Sequence, residues 1–228
     1  MIEYPHIDSV FKRNLDGPNK GRFIEGEWTH PEFEYLAPCK WVGTEKVNGT
    51  NIRVCWYPNG PDIGIAISDT PCTSVLEFKG KTDKAQPIPA LWKKLGGIFT
   101  IDLMTQVFPN KDVCLYGEGY GARIQKGGGN YIPDGVDFVL FDIRVGDWWL
   151  KYGDCAMIAE RLRIKIVPVV GEFTLYEAIN FVKHGFTSAW YTLSNPFLAE
   201  GLILKPKIDL RFRNGERIVT KIKTEDWK

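Results

Sequence analysis

The chain has no Cys-x-x-Cys pair; its five cysteines stand singly at 39, 55, 72, 114 and 155. An odd number without paired spacing argues against a zinc site or a disulfide framework and is read as reduced thiols in a core. The amino terminus, MIEYPHIDSVFKRN, lacks the apolar run of a secretory leader, and no stretch approaches the apolar length of a membrane span. The chain is therefore expected to be cytoplasmic, without a membrane partner. There is no repeat, no low-complexity tract and no long linker. Nor does one charge dominate: 29 Lys and Arg stand against 28 Asp and Glu, a formal net charge of +1. That balance argues against a protein coated in positive charge, although a local basic groove is compatible with it.

What is there is enough apolar material for a core. Of 228 residues 44% are hydrophobic and 13% aromatic, which suits one domain, or a large domain with a small appendage. Residues 1–40 are rich in proline, glycine and charge yet carry Phe11, Phe23, Trp28, Phe33 and Tyr35. They are expected to form an arm packed on a body that spans 41–228. In that body TEKVNGTNIRVCWY (44–57) reads as two strands meeting at an Asn48-Gly49 turn. Strands are also expected over 62–68, 111–121, 137–145, 200–206 and 216–223. Helices are expected over 89–97, with a glycine stop, over 152–164 and over 174–185. Strands outnumber helices and rarely alternate with them, so the fold class is α+β with largely antiparallel sheets.

Lys46 is the first residue with a chemical argument. Lys-x-x-Gly occurs five times, beginning at Lys40, Lys46, Lys93, Lys94 and Lys126, but only Lys46 lies between two β runs, in Glu45-Lys46-Val47-Asn48-Gly49-Thr50-Asn51. A lysine at a strand end can be held facing a pocket; the plain alternative is a solvated hairpin lysine. A lysine that attacks phosphorus must shed its proton, and nearby cations lower its pKa. Lys221 and Lys223, two apart on a strand, would project to one face, and Lys205 precedes a proline. Such lysines could also neutralise phosphates, or could simply guard an edge strand. Glu118 between two glycines, and Glu200 at the mouth of an apolar strand, suit Mg²⁺, its waters or a ribose hydroxyl. Each could equally be a surface acid. Phe141 could stack on a purine or belong to the core.

In order and spacing these pieces resemble the RNA ligase family of phage type, the RNA ligase 2 branch of the covalent nucleotidyltransferases. Glu45 to Asn51 resembles its motif I, Tyr116-Gly117-Glu118-Gly119 motif III, Phe138 to Ile143 motif IIIa, Ala199 to Pro206 motif IV, and Lys221-Ile222-Lys223 motif V. The resemblance implies a nucleotidyltransferase (ATP-grasp-like) core of two largely antiparallel sheets flanked by helices, with the nucleotide in the cleft between them. It implies an ATP-dependent RNA ligase with Mg²⁺. Lys46 would take AMP, pass it to a 5′-phosphate on RNA, and a 3′-hydroxyl would then displace AMP. Glu45 would contact adenine through backbone or side chain, and Phe141 would stack on it. Asn51 would lie by phosphate and ribose, Glu118 by ribose and metal, and Glu200 by the metal or the lysine. Lys205, Lys221 and Lys223 would hold phosphates and help deprotonate Lys46. Where the family's motif Ia has an arginine before a threonine, this chain has Gly80-Lys81-Thr82, so Lys81 keeps the charge without the bidentate fork. Gln125-Lys126 matches a family stretch after motif III.

RNA would need a basic track. Lys12, Arg13, Lys20 and Arg22 in the arm, and Arg211, Arg213 and Arg217 near the end, are its candidates, or else ordinary surface charges. Family members continue past motif V into an accessory domain. This sequence runs five residues beyond Lys223, so no such domain is expected in it, and a partner could supply one. The rival functions are a DNA ligase, a GTP-dependent capping enzyme, and a non-catalytic RNA- or nucleotide-binding protein of the same fold.

Overall fold

The computed structural model describes residues 2–60, 74–83, 85, 88–193 and 195–227. The strand expected over 62–68, and Cys72, lie outside the described residues. The chain divides into two compact units, one of Met1–Tyr4 and Asn48–Ile166, the other of Pro5–Val47 and Val167–Lys228.

The first unit is built on a sheet in which Thr50–Tyr57 lies between Val75–Lys79 and Val113–Gly121, followed by Val136–Val145 and Lys165–Ile166. All of these pairings are antiparallel except the last. Period-two alternation sorts the side chains. Ile52, Val54 and Trp56, with Leu115, Phe138 and Leu140, enter a core closed by Leu91, Leu95 and Phe99, Met104, and Cys155, Ala159 and Leu162. The helices Pro89–Ile98, Ile101–Val107 and Tyr152–Leu162 supply those residues except Phe99, which directly follows the first of them. The other face carries Asn51, Arg53, Cys55 and Tyr57 opposite Glu118, Tyr116 and Cys114. Buried Trp56 satisfies its indole N–H on the Phe108 carbonyl.

The second unit has a sheet in the order Asp8–Ser9, Thr220–Lys223, Gly201–Pro206, Trp41–Glu45, Val169–Phe173. Only the Asp8–Ser9 pairing is parallel. Its core joins Trp41, Leu202, Leu204 and Ile222 to Leu175, Ala178 and Val182 of the Leu175–His184 helix. Phe11, Phe23 and Phe33 of the amino-terminal segment are buried in the same core, whereas Tyr35 is exposed. A full capping box starts the helix at Thr174 and Glu177, and Gly185 ends it.

Four expectations are corrected. Trp41–Glu45 and Thr50–Tyr57 are not a hairpin but belong to different sheets. Neither Asn48 nor Gly49 has the positive φ that a two-residue hairpin turn of this type requires. The helix from Pro89 runs through both glycines to Ile98 and stops where buried Phe99 turns the chain into an extended conformation. The last strand is only Thr220–Lys223. Cys55, Cys114 and Cys155 are buried thiols, but Cys39 is exposed. Short helices at Pro31–Leu36 and Ile101–Val107 were not anticipated. Among the described residues no helix is long and apolar enough to cross a membrane.

Candidate active site

Within the second unit, Gly201–Pro206 is the central strand of the candidate site. It pairs Leu202 with Glu45 on one flank and Gly201 with Lys223 on the other. That register brings the residue after Glu45 and the end of the last strand to the same edge. The Lys46 N–H donates to the Gly201 carbonyl. The Lys46 ammonium donates to Glu200 Oε2 at 2.8 Å, Glu200 Oε1 lies 3.3 Å from Lys223 Nζ, and Lys223 reaches Glu225 at 3.0 Å. Lys46 and Glu200 side chains are only 22% and 16% exposed, so the inner part of this chain of alternating charge is largely desolvated, while Glu225 at its end is 69% exposed.

Lys221 is beside this chain but not in it. It pairs with Ile203 and with Ser9, so its side chain shares a face with theirs. Lys205, two residues beyond Ile203, lies on that face too. Burial, and then the positive charges of Lys223, Lys46 and Arg13, hold Lys221 below the ordinary lysine pKa. Burial pushes Lys223 down as well, but Glu225 and Glu200 outweigh it and leave the group raised. The group nearest Lys46 is thus a carboxylate, and the depressed lysine of the cluster is Lys221.

Glu45 faces away from this cluster. Its buried carboxylate accepts from Ser188 Oγ at 2.6 Å and from the Ala189 N–H at 2.7 Å. Burial raises its pKa against those two hydrogen bonds. The Glu45 side chain therefore ties the strand end next to Lys46 to the loop at 188, and only its backbone remains for a ligand. Ser188 was not anticipated, since no local pattern announces a partner 143 residues away.

In the first unit, Asn51 sits directly across from Glu118, and its buried Oδ1 has no hydrogen-bond partner. A side chain at Gly49 would collide with the carbonyl oxygen of Gly119, which accounts for the glycine. Asn48 is clasped by the segment after the Glu118 strand: its Nδ2 donates to the Lys126 carbonyl and its N–H to the Tyr131 hydroxyl. That gives the Gln125-Lys126 stretch a positioning task. Phe141 is the extra residue of a bulge between the Tyr116–Asp142 and Gly117–Leu140 pairs. It is half-buried, with the Tyr4 ring edge-on at 4.9 Å. Lys81 is exposed. Beneath its segment lies Arg53, fully buried, which donates from Nε to the Gly80 carbonyl and from Nη2 to Asp83 at 2.7 Å. Arg53 was missed, although a charge inside NIRVCWY, two residues from Asn51, is a legible signal.

Of the basic residues proposed for RNA, Arg13 is paired with Asp226 at 2.7 Å, Lys12 with Glu27 at 3.6 Å and Arg211 with Asp209 at 3.9 Å. Lys20, Arg22 and Arg213 are exposed. Among the described residues no group of three His, Cys, Asp or Glu could hold a metal ion.

A profile of the RNA ligase family matches residues 39–223. The chain belongs to the RNA ligase family. No curated protein sequence matches it. Solved structures of a Naegleria gruberi RNA ligase do. A variant with ATP and Mn has a TM-score of 0.62 and 17% identity, covering 98% of this chain and 62% of that one. An apo variant has a TM-score of 0.61 and 19% identity, covering 99% and 58%. A variant with AMP and Mn has a TM-score of 0.60 and 19% identity, covering 86% and 53%. At these identities the likeness establishes the fold, the α+β architecture of RNA ligases. The chain spans between about half and just under two thirds of those proteins' length. The family match runs from before Lys46 through Lys223, so every residue of the Lys46–Glu200–Lys223 chain lies inside it.

Proposed function

We propose that this RNA ligase family member is an ATP-dependent RNA ligase that takes AMP onto Lys46, passes it to an RNA 5′-phosphate and seals that end to a 3′-hydroxyl. The observation that carries the reading is the Lys46 ammonium held 2.8 Å from Glu200 in a charge chain that continues to Lys223. A nucleotide-binding protein without chemistry has no use for a lysine positioned in that way. The N. gruberi structures, solved with ATP or AMP and Mn, and one with pyrophosphate, support a nucleotide and a divalent ion.

In this reading Glu200 orients the Lys46 nitrogen for attack on the α-phosphorus. Lys205, Lys221 and Lys223 offset the charge of the phosphates, as positioned cations do in phosphoryl transfer. The unpartnered Oδ1 of Asn51 accepts from the nucleotide's hydroxyl or amino groups, with Glu118 beside it. Phe141 offers a ring to adenine once the edge-on Tyr4 ring makes room. Glu45 acts through its backbone and by fixing the strand end. Mg²⁺ would be held mainly by phosphate oxygens and water, with Glu200 or Glu118 contributing, and would stabilise charge in the transition state.

The test uses ATP or GTP labelled in the α-phosphate. Acid-stable label from ATP, absent in Lys46→Ala, is the expected result. Label from GTP alone would make the protein a capping enzyme, and label retained in Lys46→Ala would remove the nucleophile assignment. Pre-adenylylated RNA then shows whether this chain alone seals, and nicked RNA against nicked DNA shows which ends it accepts.

A further inference from the structure

A cavity of about 600 Å³ lies within the second unit, lined on one side by Lys221 and Lys223. Much of the remaining lining comes from the amino-terminal segment, with Ser9, Lys12 and Arg13. The volume is that of a small-molecule site. Two of its acids are ion-paired, Asp226 with Arg13 at 2.7 Å and Glu225 with Lys223 at 3.0 Å, and Asp8 shares a hydrogen bond with His30 at 2.8 Å. Lys221 has no such contact. It is half-buried, and no ion pair joins it to a carboxylate among the described residues. The charge of Asp8 favours its ammonium, but burial and the charges of Lys223, Lys46 and Arg13 outweigh it; a partly desolvated ammonium so placed is suited to an anionic ligand. The cavity is also linked to the nucleophile, because Lys223 lines it and touches Glu200, which touches Lys46.

We propose that this cavity is a phosphate site used twice, by the pyrophosphate end of ATP and then by the 5′-phosphate of RNA, with Lys221 and Lys12, whose exposed pairing with Glu27 yields readily, as its cationic walls beside Arg13, which stays with Asp226. The proposal rests on the reading of Lys46 as the residue that takes AMP. In the first step the Lys46 nitrogen bonds to the α-phosphorus while the bond from that phosphorus to the pyrophosphate oxygen breaks. Pyrophosphate leaves with the electron pair and the amine proton goes to water. In the second step an oxygen of the RNA 5′-phosphate bonds to the same phosphorus. The phosphorus–nitrogen bond breaks, and the lysine nitrogen keeps its pair and takes a proton from water. Attacking and leaving atoms stand in line across phosphorus in each step. The departing pyrophosphate and the arriving 5′-phosphate therefore both lie opposite the lysine nitrogen, and one anion site can receive them in turn.

The full chain carrying AMP on Lys46 tests this in two assays. Inorganic pyrophosphate is titrated and regenerated ATP measured; 5′-phosphorylated RNA is titrated and AMP transfer measured. Lys12 is 56% exposed, so Lys12→Glu is compatible with folding. In that variant both half-saturating concentrations are expected to rise about tenfold, the scale of one charge-assisted contact. A rise in only one assay, or in neither, overturns the shared site. Arg13→Lys, which keeps the charge next to Asp226, should move both in the same direction by less, with melting curves excluding a folding defect. If the unaltered chain takes no AMP, the ligase reading fails independently of the cavity. Calorimetry with inorganic pyrophosphate then decides: weaker binding in Lys12→Glu supports an anion site, and no binding, or equal binding, removes it.

Discussion

Lys221 carries a conflict between stability and function. Its ammonium is half-buried, and burial with the charges of Lys223, Lys46 and Arg13 outweighs the opposing charge of Asp8. Its folded pKa is therefore depressed below that of the unfolded chain, so the native state binds its proton less tightly. The stability linked to such a group is present above its unfolded pKa, near 10.5, and lost as pH falls through its folded pKa. At neutral pH, then, Lys221 weakens the fold. Lys221→Met should raise the melting temperature by a few degrees at pH 7 while severely reducing AMP labelling. The gap between variant and parent should narrow as pH rises toward the lysine range. Inorganic pyrophosphate should stabilise the parent more than the variant. Thermal melts across pH, with and without pyrophosphate, check each part. A variant less stable than its parent at pH 7 would mean that Lys221 is compensated after all.

Gly201 sets how closely the elements of the site approach one another. It opens the central Gly201–Pro206 strand, and a side chain there would overlap the Ile222 carbonyl oxygen and come within 2.8 Å of Lys223 Cα. Both are backbone atoms of the neighbouring strand, so no rotamer change can relieve the contact. Gly201→Ala is expected to destabilise by about 1–3 kcal/mol and to lower AMP labelling by moving Lys223 away from Glu200. Gly153→Ala, in the Tyr152–Leu162 helix with open space around it, should be neutral or slightly stabilising. Denaturant titration of the two separates packing from composition. Legibility followed the same division between local and distant causes. The strands carrying Glu118 and Phe141, and the strand that follows Glu200, were readable because their apolar runs are bounded by glycine, aspartate or glutamate. The helix at Thr174 was readable because its cap is written within three residues. The Asn48-Gly49 hairpin was misread because the determinants are far away, in Gly119, Lys126 and Tyr131. Glu45 as an anchor to Ser188, Arg53 beneath Gly80, and the lining of the cavity beside Lys221 all depend on register between distant segments, which periodicity does not report. The helix Ile101–Val107 is too short to show an apolar period.

For the molecule as a whole, the near-equality of 29 basic and 28 acidic residues sets how the protein can hold RNA. Arg13, Lys12 and Arg211 each already have a carboxylate within ion-pair distance, so an RNA phosphate must compete for them. Exposed pairs such as Lys12–Glu27 are weak and yield readily, but Asp226 is only 2% exposed and Arg13 cannot leave it without stranding a buried charge. A protein coated in free cations would show a steep loss of affinity with salt. Four phosphate contacts from Lys12, Arg13, Arg211 and Arg213 to single-stranded RNA would give a slope of log K against log salt near −3, at about −0.7 for each contact. With Arg13 retained by Asp226, the expected slope is shallower than that limit. Fluorescence anisotropy of a 5′-phosphorylated RNA over a range of potassium chloride measures it. Arg211→Gln with Arg213→Gln should flatten the line by roughly one unit or more while leaving AMP labelling from ATP intact, because neither residue belongs to the Lys46–Glu200–Lys223 chain. A slope much steeper than −3, or one the double substitution does not change, would place the RNA on a different basic surface and leave Arg211 and Arg213 as solubilising charge.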